Sequence, residues 1–430
     1  MKILVVSPVA LFPPMAGNRA RILGMLEELR SLGHDLHLVV LDVLSTAGEP
    51  EDRAAHEAWF GPGKVTWVGA GSDLAYAVSV LRRVWRRALR QVRVPAGYVR
   101  RLDEWYLPVF SRAISALQAR EGFEAVLVEY VFLSRAFEAF GPGVLKVLDT
   151  HDTFADRHLH FLRNGLTPSW YATTEAEENR GFLRADRVMA IQEGEAARFR
   201  SRLGPAGAAR VVTVSHIPRL ADAPVADVSA NAAAFIASGG PTNTQALAYF
   251  LDRVVPDIAR ALPDFVTYLA GPICAQVADR PGVIKLGFVE SLHRVFERAP
   301  ILVNPTLLGT GLNIKVLDAL CLGVPVVTTE TGARGFAARE ADGLFVAPDS
   351  DPAGFARRVV ALLSADRGAA KAAALGYAVA WRRRQVEGLT AAFSPGPAAG
   401  PAQSLGPNDG GRLSEQADAA VQPGASARKA

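Results

Sequence analysis

The sequence has few cysteines, no long apolar run and little net charge, and each of these absences excludes a class of protein. Only two cysteines occur among 430 residues, Cys274 and Cys321, and both stand in apolar surroundings. We therefore expect two buried thiols rather than a disulfide, and the cysteine usage gives no sign of an oxidising compartment.

No stretch approaches the roughly 18 uninterrupted apolar residues that a membrane-spanning helix requires. The apolar run near Met1 is too short for the hydrophobic region of a signal peptide, and Pro8 follows it directly. This run predicts the first buried strand of a parallel sheet instead. We therefore predict a cytoplasmic protein, and we do not expect nucleic acid as a partner.

One segment, residues 81–101, does concentrate positive charge. Its apolar residues recur at spacings of three and four, which puts them on one helix face and the arginines on the other. Two interpretations stay open. The apolar face can pack on its own domain, or the helix can lie peripherally on an anionic membrane surface with Trp85 at the headgroups. The arginines are Arg82, Arg83, Arg86, Arg87, Arg90, Arg93, Arg100 and Arg101.

Two common nucleotide-binding signatures are missing from the sequence. There is no Gly-x-Gly-x-x-Gly with a later ribose-binding acid, and there is no Gly-x-x-x-x-Gly-Lys-Ser/Thr. A nicotinamide dehydrogenase and a P-loop enzyme are therefore disfavoured. His158 and His160 lie near Asp156 but lack further ligands at suitable spacing, so we predict no metal site and no bound cofactor.

Short apolar runs alternate with helical patterns along most of the chain, which predicts doubly wound, mostly parallel α/β sheets. The alternation stops at residues 218–234 and then restarts. We therefore predict an N-terminal domain over 1–217, a linker over 218–234 and a second Rossmann-like domain over 235–368. A helix over 369–393 follows, which can pack back on the first domain. The Pro-, Gly- and Ser-rich tail over 394–430 is expected to be disordered. The predicted strands are 3–7, 36–41, 65–68, 125–128, 144–148, 187–191, 211–214, 235–237, 265–270, 283–286, 301–304 and 324–328.

The sharpest chemical signal is the segment 304–328, where a strand leads into a glycine loop, a helix and another strand. Gly309 and Gly311 let the backbone approach a ligand, and the helix start offers free N–H groups to a phosphate. Lys315 and Asp318 interrupt an otherwise apolar helix and share one face. A lysine can neutralise a diphosphate, and a carboxylate can accept hydrogen bonds from a ribose diol. The alternative is an i,i+3 surface ion pair beside a helix-capping loop.

At this segment the sequence resembles the retaining, GT-B-fold glycosyltransferases of group 1 (family 4-like). The resemblance implies two Rossmann-like domains facing across a cleft, with the first on the acceptor side and the second binding the nucleotide sugar. It also implies donor contacts from the loop and helix, here Gly309, Thr310, Gly311, Leu312 and Asn313, with Asp318 holding the ribose. Many members carry an acid where this chain has Thr310. Many also carry an Arg and a Lys after the first strand of the second domain, where this chain has 238–244 without a basic residue, so Asn243 is the candidate there.

Two further matches lie in the first domain. Gly17 stands in the loop after the first strand, where relatives have a glycine loop facing the cleft, although a plain strand-to-helix turn is the alternative. His151 follows a later strand, at the position where relatives have a histidine beside the transferred sugar. The carboxyl ends of parallel strands are where open α/β sheets bind ligands. Asp152 either joins the site or caps the next helix.

The resemblance implies a glycosyltransferase that moves a sugar from a nucleotide-diphosphate sugar to a saccharide or lipid-linked acceptor. It implies retention of configuration and places the reaction in cell-surface polysaccharide or glycoconjugate synthesis. His151, Lys315 and Asp318 are the candidate catalytic residues, and no metal is needed if preorganised donors stabilise the leaving diphosphate. Two alternatives stay open: a non-catalytic sugar-nucleotide-binding protein on the same fold, or a nucleotide-sugar epimerase.

Overall fold

The computed structural model describes residues 1–14, 16–43, 51–70, 81, 84–86, 90, 97–165, 167–168, 170–221, 224–309, 311–337 and 342–394. Residues Met1–Ser394 form one compact unit. Thr310 lies outside the described residues, as do most of the basic segment 81–101 and the predicted tail beyond Ser394. Within the described ranges, no helix has the length and apolar character needed to cross a membrane.

The first domain is built on a seven-stranded parallel sheet with the order β3-β2-β1-β4-β5-β6-β7. Ile3 pairs with Leu36 on one side and Ala125 on the other, so β1 lies at the centre. Strands β2 and β3 are added on one side of β1, and strands β4 to β7 are added on its other side, so the strand order reverses between β1 and β4. The strands are β1 Lys2–Ser7, β2 Asp35–Leu41, β3 Val65–Val68, β4 Ala125–Glu129, β5 Leu145–Asp149, β6 Arg187–Ala190 and β7 Val211–Thr213.

Alternate residues of these strands enter two separate cores. Leu4 and Val6 pack in one cluster, while Ile3 and Val5 pack in the other, on the opposite face of the sheet. Helices cover both faces, which explains why the strands are continuous apolar runs rather than alternating ones. The first-domain helices are Gly17–Ser31, Arg53–Phe60, Pro108–Glu121, Arg157–Arg163, Glu175–Phe182 and Glu193–Ala208, with 3-10 turns at Leu102–Trp105 and Val131–Ala139.

The second domain repeats the same plan with six parallel strands in the order β10-β9-β8-β11-β12-β13. Its first strand begins at Ala232 rather than Phe235, inside the segment predicted as linker. Ala232, Ala233 and Ala234 produce no recognisable hydrophobic pattern in the sequence, but all three are buried in the sheet. The strand β13 was not predicted. The strands are β8 Ala232–Ile236, β9 Val266–Ala270, β10 Val283–Gly287, β11 Ile301–Asn304, β12 Val326–Thr329 and β13 Leu344–Ala347.

The second-domain helices lie on both faces of this sheet. The helix after β8 begins at Pro241 and continues into a π-helical stretch at Phe250–Val254. The helices are Pro241–Tyr249, Val255–Ala261, His293–Phe296, Ile314–Cys321 and Pro352–Ser364, with a 3-10 turn at Pro272–Gln276.

The last helix, Gly368–Phe393, joins the two domains. Trp381 is buried in the core of the second domain, whereas Phe393 is buried in the core of the first. The indole Nε1 of Trp381 donates to the carbonyl of His216 at 2.9 Å, and Gln385 accepts from the amide of Ser215 at 2.7 Å. Both bonds lie on the chain that leaves β7, so the helix fixes the place where the two domains meet.

Parts of the basic segment are visible. Its apolar residues Leu81, Val84 and Trp85 are largely exposed. Arg86 contacts the carboxylate of Glu104 and the carbonyl of Val99. The remaining positions lie outside the described residues, so peripheral membrane contact stays a prediction.

Gly24 provides a test of the packing between the first helix and the chain after β7. A Cβ at Gly24 would lie 2.4 Å from the carbonyl oxygen of Ile217, a backbone atom that cannot rotate away. We expect Gly24→Ala to destabilise the protein by about 1–3 kcal/mol, as overpacking does. Gly194→Ala is the matched control, because it also lies in a helix but its Cβ would meet nothing. Chemical denaturation measures both, and equal stability of the two variants would contradict this packing.

Candidate active site

The glycine loop lies at the carboxyl end of β11, next to the point where the strand order of the second sheet reverses. No side chain caps the helix that follows at Ile314, because Asn313 instead donates its amide to the carbonyl of Gly332 at 3.0 Å. An uncapped helix start leaves its first amides for an anionic ligand. The local geometry therefore agrees with a phosphate-binding loop.

A second loop, after β12, is locked against the glycine loop. A Cβ at Gly332 would lie 2.2 Å from Thr328 Oγ1, so only glycine fits there. Two residues further on, the exposed guanidinium of Arg334 donates to the carbonyl of Gly309. The structure thus places a cation beside the glycine loop.

Lys315 lies at the carboxyl end of β8. Its Nζ is 3.4 Å from Asn243 Oδ1 and 5.4 Å from the ring centre of Phe235. Among the described residues Asn243 is its only hydrogen-bond partner, which leaves ammonium protons for a ligand. Desolvation lowers the pKa of Lys315 to about 8. The structure therefore brings two predicted site residues, Lys315 and Asn243, together.

Asp318 is on the same helix but faces the junction of the domains. Its Oδ1 lies 3.5 Å from Nε2 of His216, and its side chain is 34% exposed. Within the described part of the chain, no ion pair joins Asp318 to Lys315, so the i,i+3 surface pair that the spacing allowed is not formed. A carboxylate that is one-third exposed and not consumed by Lys315 can accept bonds from a ligand.

An interdomain cavity of about 350 Å³ collects residues from both halves of the protein. Gly17 and His151 of the first domain meet Gly311 and Leu312 of the second at its wall, and all of these were predicted from the sequence. A Cβ at Gly17 would lie 3.4 Å from Cδ1 of Ile314, so the two domains come close together at this glycine. Asp152 also lines it, whereas Gly309 lines a separate recess of about 10 Å³ with His160 and Thr242. The full lining is Gly17, Asn18, Arg21, Tyr130, His151, Asp152, Phe154, Arg157, Trp170, Ile191, Gly311, Leu312 and Ile314.

His151 is held in one orientation by its neighbours. Its Nε2 lies 2.6 Å from Oε2 of Glu129, and its ring stacks on Tyr130 with centroids 4.0 Å apart. Its backbone has a φ of 61°, in the left-handed region that non-glycine residues rarely adopt. Such conformations cost on the order of 1–3 kcal/mol and persist where the surroundings impose them.

Beneath His151 lies a buried charge network. Asp149 accepts from Nη2 of Arg21 at 2.7 Å, and Arg21 also donates to the carbonyl of Val214 at 2.8 Å. Burial opposes ionisation of Asp149, but Arg21 and His151 outweigh it and hold its pKa below the usual value. For Glu129 burial prevails over the hydrogen bond from His151 and raises its pKa to about 7.

Glu129, Asp149 and His151 are the one group of three among the described residues whose side chains lie close enough to share a metal ion. Their contacts are those of a hydrogen-bonded network, because His151 touches Glu129 directly and Arg21 supplies the compensating charge. Glu129, Asp149 and Arg21 escaped the sequence analysis. The two acids end β4 and β5, and the rule that ligands bind at the carboxyl ends of parallel strands points to them as well as to His151.

Comparisons with known proteins show which sequences and folds this chain is similar to. Residues 231–365 match the family described as glycosyl transferases group 1. An uncharacterised 44.6 kDa protein from the cps region of Klebsiella pneumoniae is 27% identical over 121 residues, which are 25% of this chain and 31% of that protein. The chain therefore aligns with about a third of that relative's length. The group 1 resemblance predicted from the sequence is confirmed.

Several solved structures share the fold over most of the chain. A variant of S. aureus TarM, in complex with fondaparinux, alpha-GlcNAc-glycerol and UDP, has a TM-score of 0.60 at 10% identity, covering 91% of this chain and 99% of that one. Anabaena HepE with UDP and glucose gives 0.57 at 12%, covering 91% and 97%. The lipopolysaccharide outer core galactosyltransferase WaaB gives 0.56 at 13%, covering 91% and 99%. The predicted GT-B fold is confirmed.

The contact between Glu129 and His151 predicts which imidazole nitrogen carries the proton. We expect neutral His151 to be protonated at Nε2, because that nitrogen faces a carboxylate at 2.6 Å. Glu129→Gln keeps an acceptor oxygen and should keep this tautomer, whereas Glu129→Leu removes it. Imidazole ¹⁵N shifts of the labelled histidine report the tautomer directly. The same mixture of tautomers in both variants and the unmodified protein would show that Glu129 does not orient His151.

Proposed function

We propose that this GT-B protein, with its group 1 second domain, is a glycosyltransferase that takes a sugar from a nucleotide-diphosphate sugar. The observation that carries the proposal is the interdomain cavity, because it joins His151 of the first domain to the glycine loop of the second. A donor bound across these two walls would have its diphosphate at the loop and its sugar beside His151. UDP-glucose is the first donor to test, since UDP and glucose occupy HepE.

We assign the leaving diphosphate to three sources of positive charge: the uncapped helix start, Lys315 and Arg334. The acceptor hydroxyl oxygen forms a bond to the anomeric carbon while the bond from that carbon to the diphosphate oxygen breaks. The electron pair leaves with the nucleoside diphosphate, and the hydroxyl proton passes to it. Fixed donors aimed at the developing charge stabilise this step without a metal ion. A chelator should therefore leave turnover unchanged.

We assign the ribose to Asp318 and a hydroxyl of the transferred sugar to His151. The group 1 resemblance supports retention of the anomeric configuration, which proton NMR of the product checks. The acceptor is a saccharide or a lipid-linked saccharide, and the reaction would belong to cell-surface polysaccharide or glycoconjugate synthesis.

Removal of Lys315 or Asp318 tests the assignment. We expect Lys315→Ala to lower kcat/KM by about 10²–10³, because it removes a donor to the charge that develops in the transition state. Asp318→Ala should chiefly weaken donor binding. Release of nucleoside diphosphate measures turnover. Lys285→Ala and Asp279→Asn are matched controls, since these two residues pair with each other at β10, the edge strand of the second sheet. Full activity in Lys315→Ala would remove this residue from the mechanism.

The desolvated ammonium of Lys315 predicts a pH dependence of nucleotide binding. Only the protonated lysine attracts a diphosphate, and the pKa of Lys315 is lowered to about 8. Affinity for UDP should therefore be constant below pH 8 and fall as the pH rises above it, by up to about tenfold per unit. The phosphates are already ionised there, because their last pKa is about 6. Calorimetry at pH 7–9 measures this fall, and Lys315→Met should abolish it.

An epimerase acting on a nucleotide sugar is the second candidate. Its specific support is Glu129, a buried acid with a pKa raised to about 7 in contact with His151. A non-catalytic nucleotide-binding protein is the third, supported by the absence of a basic residue in 238–244. Product analysis without an acceptor separates the three: an interconverted sugar nucleotide indicates an epimerase, and binding without turnover across acceptors indicates a binding protein.

A further inference from the structure

A second cavity, of about 190 Å³, lies in the first domain next to the interdomain cavity. The two cavities share the side chains of Arg157 and Trp170. This space is smaller than the roughly 300–1,000 Å³ that drug-sized ligands occupy, so it suits a ligand with one ring. The lining is Arg90, Gly97, Tyr98, Arg100, Trp105, Arg157, His158, Phe161, Pro168, Trp170 and Ala172.

The charge of this cavity is one-sided. Three arginines and a histidine line it, and none of its lining residues is acidic. Arg100 forms an ion pair with Glu104 at 2.9 Å, and Arg157 forms one with Asp152 at 3.2 Å. Neither acid lines the cavity. Within the described ranges, Arg90 has no ion-pair partner, and its Nε is buried without a hydrogen bond. Arg90 therefore brings an uncompensated positive charge to the wall.

A buried imidazole adds an unused polar atom. His158 is only 4% exposed, and its Nδ1 finds no hydrogen-bond partner in the described part of the chain. An unsatisfied buried polar atom costs about 1–3 kcal/mol, which a bound polar group would relieve. Asp156 lies near His158 but is not part of the lining.

The walls of the cavity are aromatic. Trp105 and Trp170 meet edge to face with centroids 6.2 Å apart, and the guanidinium of Arg100 lies 4.9 Å over Trp105. Tyr98 and Phe161 complete this surface. Flat apolar rings beside charged and polar groups match a sugar ring, which has C–H faces and a polar rim.

From these observations we propose that the second cavity binds the acceptor, and that the acceptor is an anionic sugar bearing a phosphate or a carboxylate. Arg90 and His158 would receive the anionic group, and the aromatic walls would hold the ring. Trp170, which faces both cavities, would direct an acceptor hydroxyl towards the donor sugar. This inference rests on the proposed glycosyltransferase function, because it names the second substrate of the same site.

The test separates the two sites by saturating the protein with UDP first. Titration calorimetry then compares glucose 1-phosphate, glucuronate, inorganic phosphate and the uncharged methyl glucoside. We expect both anionic sugars to bind at least tenfold more tightly than methyl glucoside. Arg90→Gln should reduce their affinity at least tenfold while UDP binding and the melting temperature stay unchanged. Arg383→Gln is the matched control, since this arginine is exposed and far along the chain on the last helix.

Three outcomes would overturn the inference: equal affinity for charged and uncharged sugars, equal affinity for inorganic phosphate and glucose 1-phosphate, or no effect of Arg90→Gln. The first outcome would show that the cavity does not select a charged sugar. The second would show that the sugar ring does not contribute to binding, and the third that the anion does not bind at Arg90. Failure of the proposed donor site looks different, because UDP itself would then not bind in the initial titration, and a protein that binds UDP without transferring a sugar is recognised by the missing release of nucleoside diphosphate. The sugars would in that case be titrated into the unliganded protein with the same comparisons.

Discussion

The buried ion pair between Arg21 and Asp149 is the contact on which the first-domain side of the site depends. Two charges removed from water are stable only when each finds compensation, and removing one partner of such a pair costs about 3–5 kcal/mol. Arg21 comes from the helix after β1 and Asp149 from the end of β5, so the pair ties these elements across β4. His151 lies two residues beyond Asp149, so this ion pair also helps to fix the position of His151. Stacking on Tyr130 and the hydrogen bond to Glu129 hold the His151 ring in place, and these contacts offset the cost of its strained backbone.

The topology explains why distant parts of the sequence meet. Both sheets have the order 3-2-1-4-5-6 over their first six strands, so each has its reversal between its first and fourth strands. Loops diverge on either side of that reversal and leave a crevice at the carboxyl ends of the strands. Gly17 and His151 border the crevice of the first sheet, and Gly311 borders that of the second. The helix Gly368–Phe393 is buried in both cores, which holds the two crevices together.

The sequence predicted the two-domain α/β plan and most strands, because parallel strands buried on both faces appear as plain apolar runs. It missed where β8 begins, since Ala232–Ala234 are too small to produce a hydrophobic pattern. The sequence identified Lys315 and Asn243 as candidates, and the fold brings them into contact. It could not show that Lys315 is desolvated against Phe235. Glu129 was invisible for another reason. A lone acid at a strand end looks like a surface residue until the pairing of β4 with β5 brings it to His151.

The loop after β12 can explain why this chain lacks the Arg and Lys that many group 1 members carry after the first strand of the second domain. A diphosphate needs positive charge, but the position of that charge along the chain is free as long as it reaches the same point in space. Arg334, on the loop after β12, lies against the carbonyl of Gly309, and Gly332 allows that loop to pack closely enough for this contact. Lys315 belongs to the helix that follows the glycine loop, so it is a second cation near this segment. If a diphosphate binds at the helix start, as we propose, cations from two different elements are available to it, and the charge absent from one loop is supplied by another.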